Sequence, residues 1–207
     1  MARRSEHSQE EIRKMVLNAA EAIVINEGFS AVNARKIATK IGYTVGSIYM
    51  VFENMAELNL HIKARTLDDI AMHLEQVKNL DAAENIEELS KAYLHYAHQN
   101  FNRWNMIFEN PLSKDKDLVA SDWYQLKIDY VFSLVEIQFN KLAPDCSDNK
   151  KKRATRALWA GIHGICALSL SGTLDFVGAT DVEESVVLLV RSFIQGWVTN
   201  ANTASAP

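Results

Sequence analysis

Apolar residues recur every three or four positions over most of the chain, which is the spacing of one face of an α-helix. The first such stripe lies between Ser8 and Gly28, and it consists of Ile12, Met15, Val16, Ala19, Ala20, Ile23 and Val24. Ser8 followed three positions later by Glu11 is the pattern of a capping box, and glycine favours the backbone found at a helix end. The spacing therefore predicts a first helix over about 8–27.

Two much shorter helices are predicted next, over about 34–41 and 45–52. Asn33 and Thr44 stand at their N-cap positions, and Gly42 separates the two segments. Helices of this length are not stable in isolation, because the cost of nucleation exceeds what so few hydrogen bonds return. We therefore expect the two segments to pack against each other and against a third helix.

Longer helical patterns occupy the rest of the chain, and no segment alternates as a strand does. The predicted helices cover about 54–80, 85–102, 103–110, 117–142, 148–171 and 181–199. The 207 residues contain only eight glycines and three prolines, which suits long helices. The pattern predicts an all-α protein of about nine helices, with a three-helix N-terminal part and a larger helical bundle after it.

Composition and charge narrow the class of protein. The chain is 48% hydrophobic and 23% charged, as soluble globular proteins are. Residues 1–52 hold seven basic and five acidic side chains, whereas the rest holds 15 basic and 21 acidic. The two cysteines, Cys146 and Cys166, exclude a disulfide framework and fit a reducing cytoplasm. The longest apolar run, 157–170, is shorter than the roughly 20 residues that span a membrane.

The segment 33–52 carries the pattern of a helix-turn-helix motif. Ala38 is small where the two helices would cross, Gly42 stands in the turn, and Ile48 is an apolar plug between them. The polar groups that could contact a duplex are Arg35, Lys36, Lys40, Thr44, Ser47 and Tyr49. Taken alone, this pattern predicts DNA binding but also fits a helical hairpin with a solvated basic face.

Residues 12–62 resemble the DNA-binding domain of the TetR family of transcriptional regulators. The resemblance rests on Ala-Ala-Glu-Ala (19–22), Asn-Glu-Gly-Phe (26–29), Ala-Arg-Lys-Ile-Ala (34–38), Gly-Tyr-Thr-Val-Gly-Ser-Ile-Tyr-Met-Val-Phe (42–52) and Asn-Met-Ala-Glu-Leu (54–58). It implies a dimeric repressor that leaves its DNA operator when a small effector binds. The implied DNA contacts are Arg35, Lys36, Thr44, Val45, Gly46, Ser47, Tyr49 and Met50.

The sequence departs from the family pattern at four positions. The family often has lysine where Val45 and Met55 stand, histidine where Met50 stands, and proline where Glu53 stands. Two lysines of the family pattern are therefore absent, so we expect the DNA contact of this protein to depend more on apolar groups. Val45 and Met50 could touch the methyl groups of thymine in the major groove.

The resemblance also implies partners for the protein and a division of the chain into parts. At the N-terminus, Arg3 and Arg4 either extend the DNA contact as an arm or belong to a solvated tail. The expected partners are operator DNA, a small effector and a second copy of the chain, without a cofactor, a metal or a membrane. The expected parts are a DNA-binding domain over 1–53, a connecting helix over 54–80, a ligand-binding and dimerisation domain over 81–200, and a disordered tail over 201–207.

Aromatic residues in the larger part suggest where an apolar or aromatic effector would bind. Trp159 and His163 stand in a run that resembles the Trp-x-x-x-His-Gly signature of one TetR subgroup. They line either a pocket or a packed seam, and the sequence leaves both open. The other candidates for ligand contact, which flank the loop at Pro111, are Trp104, Phe108, Trp123 and Tyr124.

The last two predicted helices are apolar over more than one face. Surfaces of this kind can pair as a four-helix seam between two subunits, or they can fill the core of one subunit. The candidates for the seam are Leu158, Ile162, Val186, Leu189, Phe193 and Trp197.

Candidate catalytic or metal-binding groups are few. His95 and His98 share a helix face without a clear third ligand, and His163 with Cys166 lacks an orienting group. No glycine-rich phosphate loop or HExxH motif occurs in the sequence. We therefore predict a regulator and not an enzyme, with a helical interaction protein, or less readily a small helical enzyme, as the alternative.

Overall fold

The computed structural model describes residues 7–77, 81–109 and 122–203. Within these ranges the chain forms ten α-helices and one short 3-10 helix at Phe29–Ala31, and no strand. The α-helices are α1 (Gln9–Glu27), α2 (Ala34–Ile41), α3 (Val45–Tyr49), α4 (Met55–Leu74), α5 (Ala82–Gln99), α6 (Phe101–Phe108), α7 (Asp122–Leu142), α8 (Asp148–Leu170), α9 (Thr173–Phe176) and α10 (Val182–Thr203). The all-α prediction is confirmed, and the helix not foreseen is the single turn of α9.

The described residues form two compact units. The first unit comprises those within Met1–Leu67 and Asn102–Tyr124, and the second comprises those within Asp68–Phe101 and Gln125–Pro207. The helices α4 and α7 each supply residues to both units. The first unit thus extends beyond the expected boundary at residue 53 and includes nearly all of α6.

The predicted caps at the start of α1 and α2 are present. The Glu11 N–H donates to Ser8 Oγ (3.2 Å), and the Ser8 N–H donates to Glu11 Oε2 (2.6 Å), which completes the capping box. At α2, the Lys36 N–H donates to Asn33 Oδ1 (2.9 Å). These side chains satisfy backbone donors that have no partner inside the helix, and so they fix where each helix begins.

The helix α4 begins as predicted but ends earlier. The Glu57 N–H donates to Asn54 Oδ1 (2.9 Å), and the Glu57 carboxylate accepts from the Glu53 N–H (2.6 Å). The helix ends at Leu74 and not near residue 80. The Val77 N–H donates to the Leu74 oxygen three positions back (3.1 Å), so the chain tightens into a turn there.

The core of the first unit joins five helices. Its buried side chains include Ile12, Val16, Ala20, Ile23 and Val24 from α1, Ile37 and Ala38 from α2, Ile48 from α3, Leu58 and Ile62 from α4, and Met106 from α6. The apolar stripes of the first four helices predict this core. The contribution of Met106 is not apparent from the pattern, because α6 is distant from the other four in sequence.

The core of the second unit lies between α5, α7, α8 and α10. Phe139 is fully buried in it, and its ring packs edge-on against Phe193 and Trp197, with ring centres 6.4 and 4.9 Å apart. A side chain at Gly161 would place its Cβ 2.8 Å from Leu189 Cδ2, so glycine allows α10 to approach α8 closely here. The second unit is therefore a bundle whose C-terminal helix is part of its core.

The C-terminal helix is longer than the sequence pattern suggests. A disordered tail is expected from residue 201, but α10 continues to Thr203. The helix can continue because no glycine or proline interrupts the backbone there. No helix in the described parts of the chain has the length and apolar character needed to cross a bilayer. Three predicted features lie outside the described residues, namely the arm with Arg3 and Arg4, the loop at Pro111, and residues 204–207.

The buried position of Met106 predicts that α6 stabilises the helix-turn-helix core. Met106→Ala should lower the free energy of unfolding by about 2–5 kcal/mol, because it removes apolar contacts and leaves a cavity. Met72→Ala is the matched control, since Met72 is exposed, and should change it by less than about 0.5 kcal/mol. Urea unfolding followed by circular dichroism measures both. Equal losses in the two variants would contradict the assignment of α6 to this core.

Candidate functional site

The turn between α2 and α3 has the geometry of a helix-turn-helix motif. Gly42 ends α2 in the left-handed region, at φ 73° and ψ 24°, where other residues are strained. The Tyr43 N–H donates back to the Ala38 oxygen (3.0 Å), which closes the turn. Ala38 and Ile48 are both buried, as the spacing predicts. The three pattern positions thus hold α3 at a fixed angle to α2.

The start of α3 is held by its own hydroxyl groups. The Ser47 N–H donates to Thr44 Oγ1 (3.3 Å), and the hydroxyl oxygens of Thr44 and Ser47 lie 3.1 Å apart. Thr44 and Gly46 are exposed, whereas Ser47 is half-buried. These groups fix the local conformation and still leave Thr44 and Gly46 open to a partner.

Three large side chains are exposed on α3 and on Met50, the residue that follows it. Val45 is 37% exposed, Tyr49 47% and Met50 65%, although the neighbouring Ile48 is fully buried. Apolar groups clustered on the surface in this way are typical of an interaction site. The side chains expected to face the DNA groove therefore do lie on the outside of the first unit.

The cations near α2 are not equivalent. Arg35 and Lys40 are exposed, and in the part of the chain that the structure describes they form no ion pair. The Lys36 ammonium pairs instead with the Glu27 carboxylate. A contact from Lys36 to a phosphate would have to replace that pair, so Arg35 is the better placed of the two predicted cationic contacts.

Sequence reasoning missed an arginine that holds the end of α3. The Arg13 guanidinium donates to the Val51 oxygen (2.5 Å) and to Glu57 Oε1 (3.3 Å), and its carbon lies 4.1 Å from the centre of the Phe52 ring. Arg13 belongs to α1, Val51 follows α3, and Glu57 belongs to α4. One half-buried side chain therefore ties three helices together, and nothing in the local spacing indicates it.

His61 completes this cluster as an acceptor. The Arg13 guanidinium lies 2.6 Å from His61 Nε2, and because a guanidinium only donates, this contact favours the tautomer whose Nε2 accepts. The Glu57 carboxylate lies 3.5 Å from the same nitrogen. The His61 ring stacks on Trp123, with centres 4.7 Å apart. Burial, followed by the charges of Arg13 and Arg65, lowers the pKa of His61 against the opposing effect of Glu57. The cluster thus favours neutral His61.

The four aromatic residues around the Pro111 loop all belong to the first unit. Trp104 and Tyr124 are almost fully buried, and burial raises the pKa of Tyr124 to about 12. Phe108 packs edge-on against Trp104 (5.3 Å between ring centres), and Trp123 packs against Tyr124 (5.9 Å). Trp104 and Tyr124 have almost no surface left for a ligand, so they act as core residues here.

Trp159 and His163 lie together in the second unit. Their rings stack with centres 5.1 Å apart, and His163 Nδ1 lies 3.1 Å from the Tyr93 hydroxyl. The Phe132 ring packs edge-on against Trp159 (5.5 Å). Burial lowers the pKa of His163. We call Trp159, His163, Tyr93 and Phe132 the Trp159 cluster, in which Tyr93 is buried and the other three side chains are half-buried.

The candidates for a seam between subunits divide into two sets. Leu158, Ile162 and Val186 are buried inside the chain itself, because α8 and α10 pack on α5 and on each other, so they have no surface to offer a partner. Leu189, Phe193 and Trp197 are half-buried. The large apolar side chains that these two helices expose are Leu168 on α8 and Leu188 on α10, and neither is among the seam candidates. Helical periodicity does not show which of two apolar faces of a helix is covered by its own subunit. The predicted seam therefore combines buried residues with half-buried ones.

The histidines weighed as metal ligands have protein partners. His95 Nε2 lies 3.1 Å from the Glu183 carboxylate, and His98 Nε2 lies 3.2 Å from the Ser169 hydroxyl. Among the described residues, no three His, Cys, Asp or Glu side chains are grouped so that they could hold a metal ion. The burial of Cys166 raises the pKa of its thiol to about 12.

Comparison with known families agrees with this architecture. Residues 16–62 match the family described as bacterial regulatory proteins, tetR family, and residues 86–193 match the tetracyclin repressor-like C-terminal domain. The molecule is thus a DNA-binding transcriptional regulator with a ligand-binding C-terminal domain, and it is not an enzyme. The chain belongs to the TetR family.

Individual relatives are distant in sequence but similar over most of their length. An uncharacterized HTH-type transcriptional regulator of Mycobacterium tuberculosis is 21% identical over 194 residues, which cover 93% of this chain and 86% of that one. A protein of unknown function from Rhodococcus sp. RHA1 has a TM-score of 0.73 at 19% identity, covering 94% and 98% of the two chains. FadR of Thermus thermophilus, a TetR family repressor solved with lauroyl-CoA, has a TM-score of 0.65 at 15% identity, covering 89% and 94%.

The geometry around His61 predicts a pH effect on folding. Its pKa in the folded state lies below the unfolded value of about 6.5, so the unfolded chain takes up this proton first as the pH falls. The contribution of His61 to stability should therefore be present above about pH 6.5 and be lost progressively below it. Urea unfolding of the wild type and of His61→Gln, between about pH 7.5 and 5.5, measures this contribution.

The glutamine variant is the control because its amide oxygen can still accept from Arg13 but does not titrate. The stability of the wild type relative to His61→Gln should decrease as the pH falls. Parallel curves for the two proteins over this range would show that His61 does not accept from Arg13 as described.

Proposed function

We propose that the protein is a homodimeric repressor that reads its operator with the exposed face of α3. The observation that carries this proposal is the exposure of Val45, Tyr49 and Met50 on a helix whose remaining large side chain, Ile48, is fully buried. A recognition helix needs this arrangement, because one face must pack on the core of its domain while the opposite face enters the major groove. Val45 and Met50 lie against base edges, where they contact thymine methyl groups.

The polar groups of the same motif position the protein on the backbone of the duplex. The Tyr49 phenol and the Thr44 hydroxyl donate to phosphate oxygens, and Arg35 supplies charge that makes binding depend on salt. Lys36 has a smaller part, because Glu27 already neutralises it. Two subunits read half-sites about 34–36 Å apart on one face of the duplex. This binding takes place in the cytoplasm.

The effector site is assigned to the Trp159 cluster. Its aromatic rings suit a flat or extended apolar ligand, while His163 and the Tyr93 hydroxyl can orient one polar group. FadR of Thermus thermophilus, which shares the fold, binds lauroyl-CoA, and a long apolar chain is one chemistry that such a bundle accommodates. Trp159 and His163 also stand in the run that resembles the Trp-x-x-x-His-Gly signature of one TetR subgroup.

Release from the operator requires that the ligand binds the two states of the protein unequally. α4 and α7 are the structural route, since each supplies residues to both units. Near its start α7 carries Trp123, which stacks on His61 of α4 and so reaches the cluster around Arg13. A shift of either helix therefore changes the support of α3 and lowers affinity for DNA.

The different roles of Tyr49 and Met50 give a direct test by fluorescence anisotropy. The target is DNA from just upstream of the gene, with a shuffled duplex beside it. Tyr49→Phe should weaken binding to both duplexes about five- to tenfold, since it removes one hydrogen bond to a phosphate. Met50→Ala should instead reduce the preference for the native fragment by about fivefold or more.

The matched control is Tyr130→Phe, because Tyr130 is an exposed tyrosine of the second unit and should not affect DNA binding. Unchanged affinity of Tyr49→Phe would contradict the phosphate contact. Salt-independent binding, or no binding at low salt, would contradict the assignment of α3 as the DNA-reading helix.

A further inference from the structure

The connection between α1 and α2 brings two opposite charges together. α1 ends at Glu27, and α2 begins at Ala34. Between them Gly28 has φ 83°, a value that favours glycine, and the 3-10 helix Phe29–Ala31 follows. Across this connection the Lys36 ammonium forms an ion pair with the Glu27 carboxylate. The pair thus lies in the first unit, where the chain enters the helix-turn-helix motif.

Hydrogen bonds fix the backbone that carries this pair. The Lys36 N–H donates to Asn33 Oδ1 (2.9 Å), and the Asn33 side-chain amide donates to the Ala31 oxygen (3.2 Å). The Val32 N–H donates to the Phe29 oxygen (3.0 Å). Because the backbone is already ordered, forming the pair costs only the freedom of two side chains.

The helix dipoles oppose both charges of the pair. Glu27 is the last residue of α1, where the dipole is negative, and Lys36 stands in the first turn of α2, where it is positive. The sequence has no basic residue in that last turn of α1 and no acidic residue in that first turn of α2. Each charge is therefore compensated by the other and not by its own helix.

The pair also sets Lys36 apart from the other cations of α2. Arg35 and Lys40 are exposed and form no ion pair within the described ranges. The Lys36 and Glu27 side chains are 37% and 47% exposed, and ion pairs at that depth contribute little free energy. A phosphate of the DNA backbone could therefore displace the carboxylate. Residues 28–52 contain no aspartate or glutamate that could take its place.

We propose that Glu27 limits the affinity of the protein for DNA, because its carboxylate competes with a backbone phosphate for Lys36. A phosphate that binds Lys36 has to break the pair, and it leaves Glu27 unpaired beside the duplex. Since the phosphate contact carries no sequence information, the limit applies equally to operator and to non-specific DNA. This role of Glu27 rests on the proposed contact of α2 and α3 with DNA, and local spacing does not indicate it.

Glu27→Gln tests the competition in the full-length protein, because it removes the charge and keeps the size of the side chain. Fluorescence anisotropy is measured across salt concentrations on the upstream fragment and on the shuffled duplex. The variant should bind both more tightly and by the same factor. The slope of log K against log salt should steepen by about 0.9 for each subunit, which is a gain of about eightfold for every tenfold decrease in salt.

Glu10→Gln is the matched control for net charge. Glu10 is an exposed residue of the same helix and forms no ion pair among the described residues. Its loss should change affinity by less than about twofold, because salt screens an exposed charge that has no partner at the DNA contact. Circular dichroism checks that each variant keeps the helical content of the wild type.

Lys36→Gln shows whether Glu27 acts through Lys36. In the wild type it should weaken binding by less than about threefold, whereas in the Glu27→Gln background it should cancel the gain of about eightfold per subunit. Arg35→Gln is the reference, since Arg35 has no carboxylate partner in the described chain. It should weaken binding by the same factor in both backgrounds.

Three results would overturn the proposal. They are an equal gain from Glu10→Gln, an equal loss from Lys36→Gln in both backgrounds, and unchanged affinity of Glu27→Gln. If the wild type still prefers the upstream fragment in a salt-dependent way, any of these leaves the DNA-reading function of α3 in place. If neither the wild type nor Glu27→Gln binds DNA at low salt, both the proposed function and the role of Glu27 are wrong.

Discussion

The packing of Ile37, Ala38 and Ile48 in the core of the first unit is the interaction on which the exposed face of α3 depends. α2 has eight residues and α3 has five, so neither helix is stable without tertiary packing. The core that covers them comes from α1, α4 and α6. Because Ile48 is fixed from behind, the next residues, Tyr49 and Met50, stay exposed at a defined angle. The exposed face of α3 is therefore held by tertiary packing, although the helix is only five residues long.

The main effect of Arg13 is to position the chain that follows α3, and its contribution to stability is small. Its partner Glu57 is about one-third exposed, and ion pairs at that depth contribute little free energy. The contact with the Val51 oxygen matters for another reason, since it fixes the chain directly after α3. His61 accepts from the same guanidinium and is covered by Trp123. His61 of α4 thus contacts both Arg13 of α1 and Trp123 of α7, and α4 and α7 each supply residues to both units.

The sequence predicts those parts of the molecule that local rules determine. The caps at Ser8, Asn33 and Thr44 and the turn at Gly42 depend only on neighbours within a few positions, and all are present. Met106 and Arg13 were missed because their partners are distant in the chain, and spacing carries no information about such contacts. Leu158 was assigned to a seam for a related reason, since a helix with two apolar faces does not reveal which face its own subunit covers.

Charge is distributed unevenly along this acidic chain. The net charge is −4, yet residues 33–52 contain no acidic side chain, and neither do 149–174 or 185–203. The Debye length at physiological salt is about 8 Å, so an anion responds to the charges nearest to it and not to the total. Arg35 beside α3 and Arg153 on α8 each lie in such an acid-free segment and lack a counterion among the described residues. The negative net charge is therefore compatible with a DNA contact at Arg35.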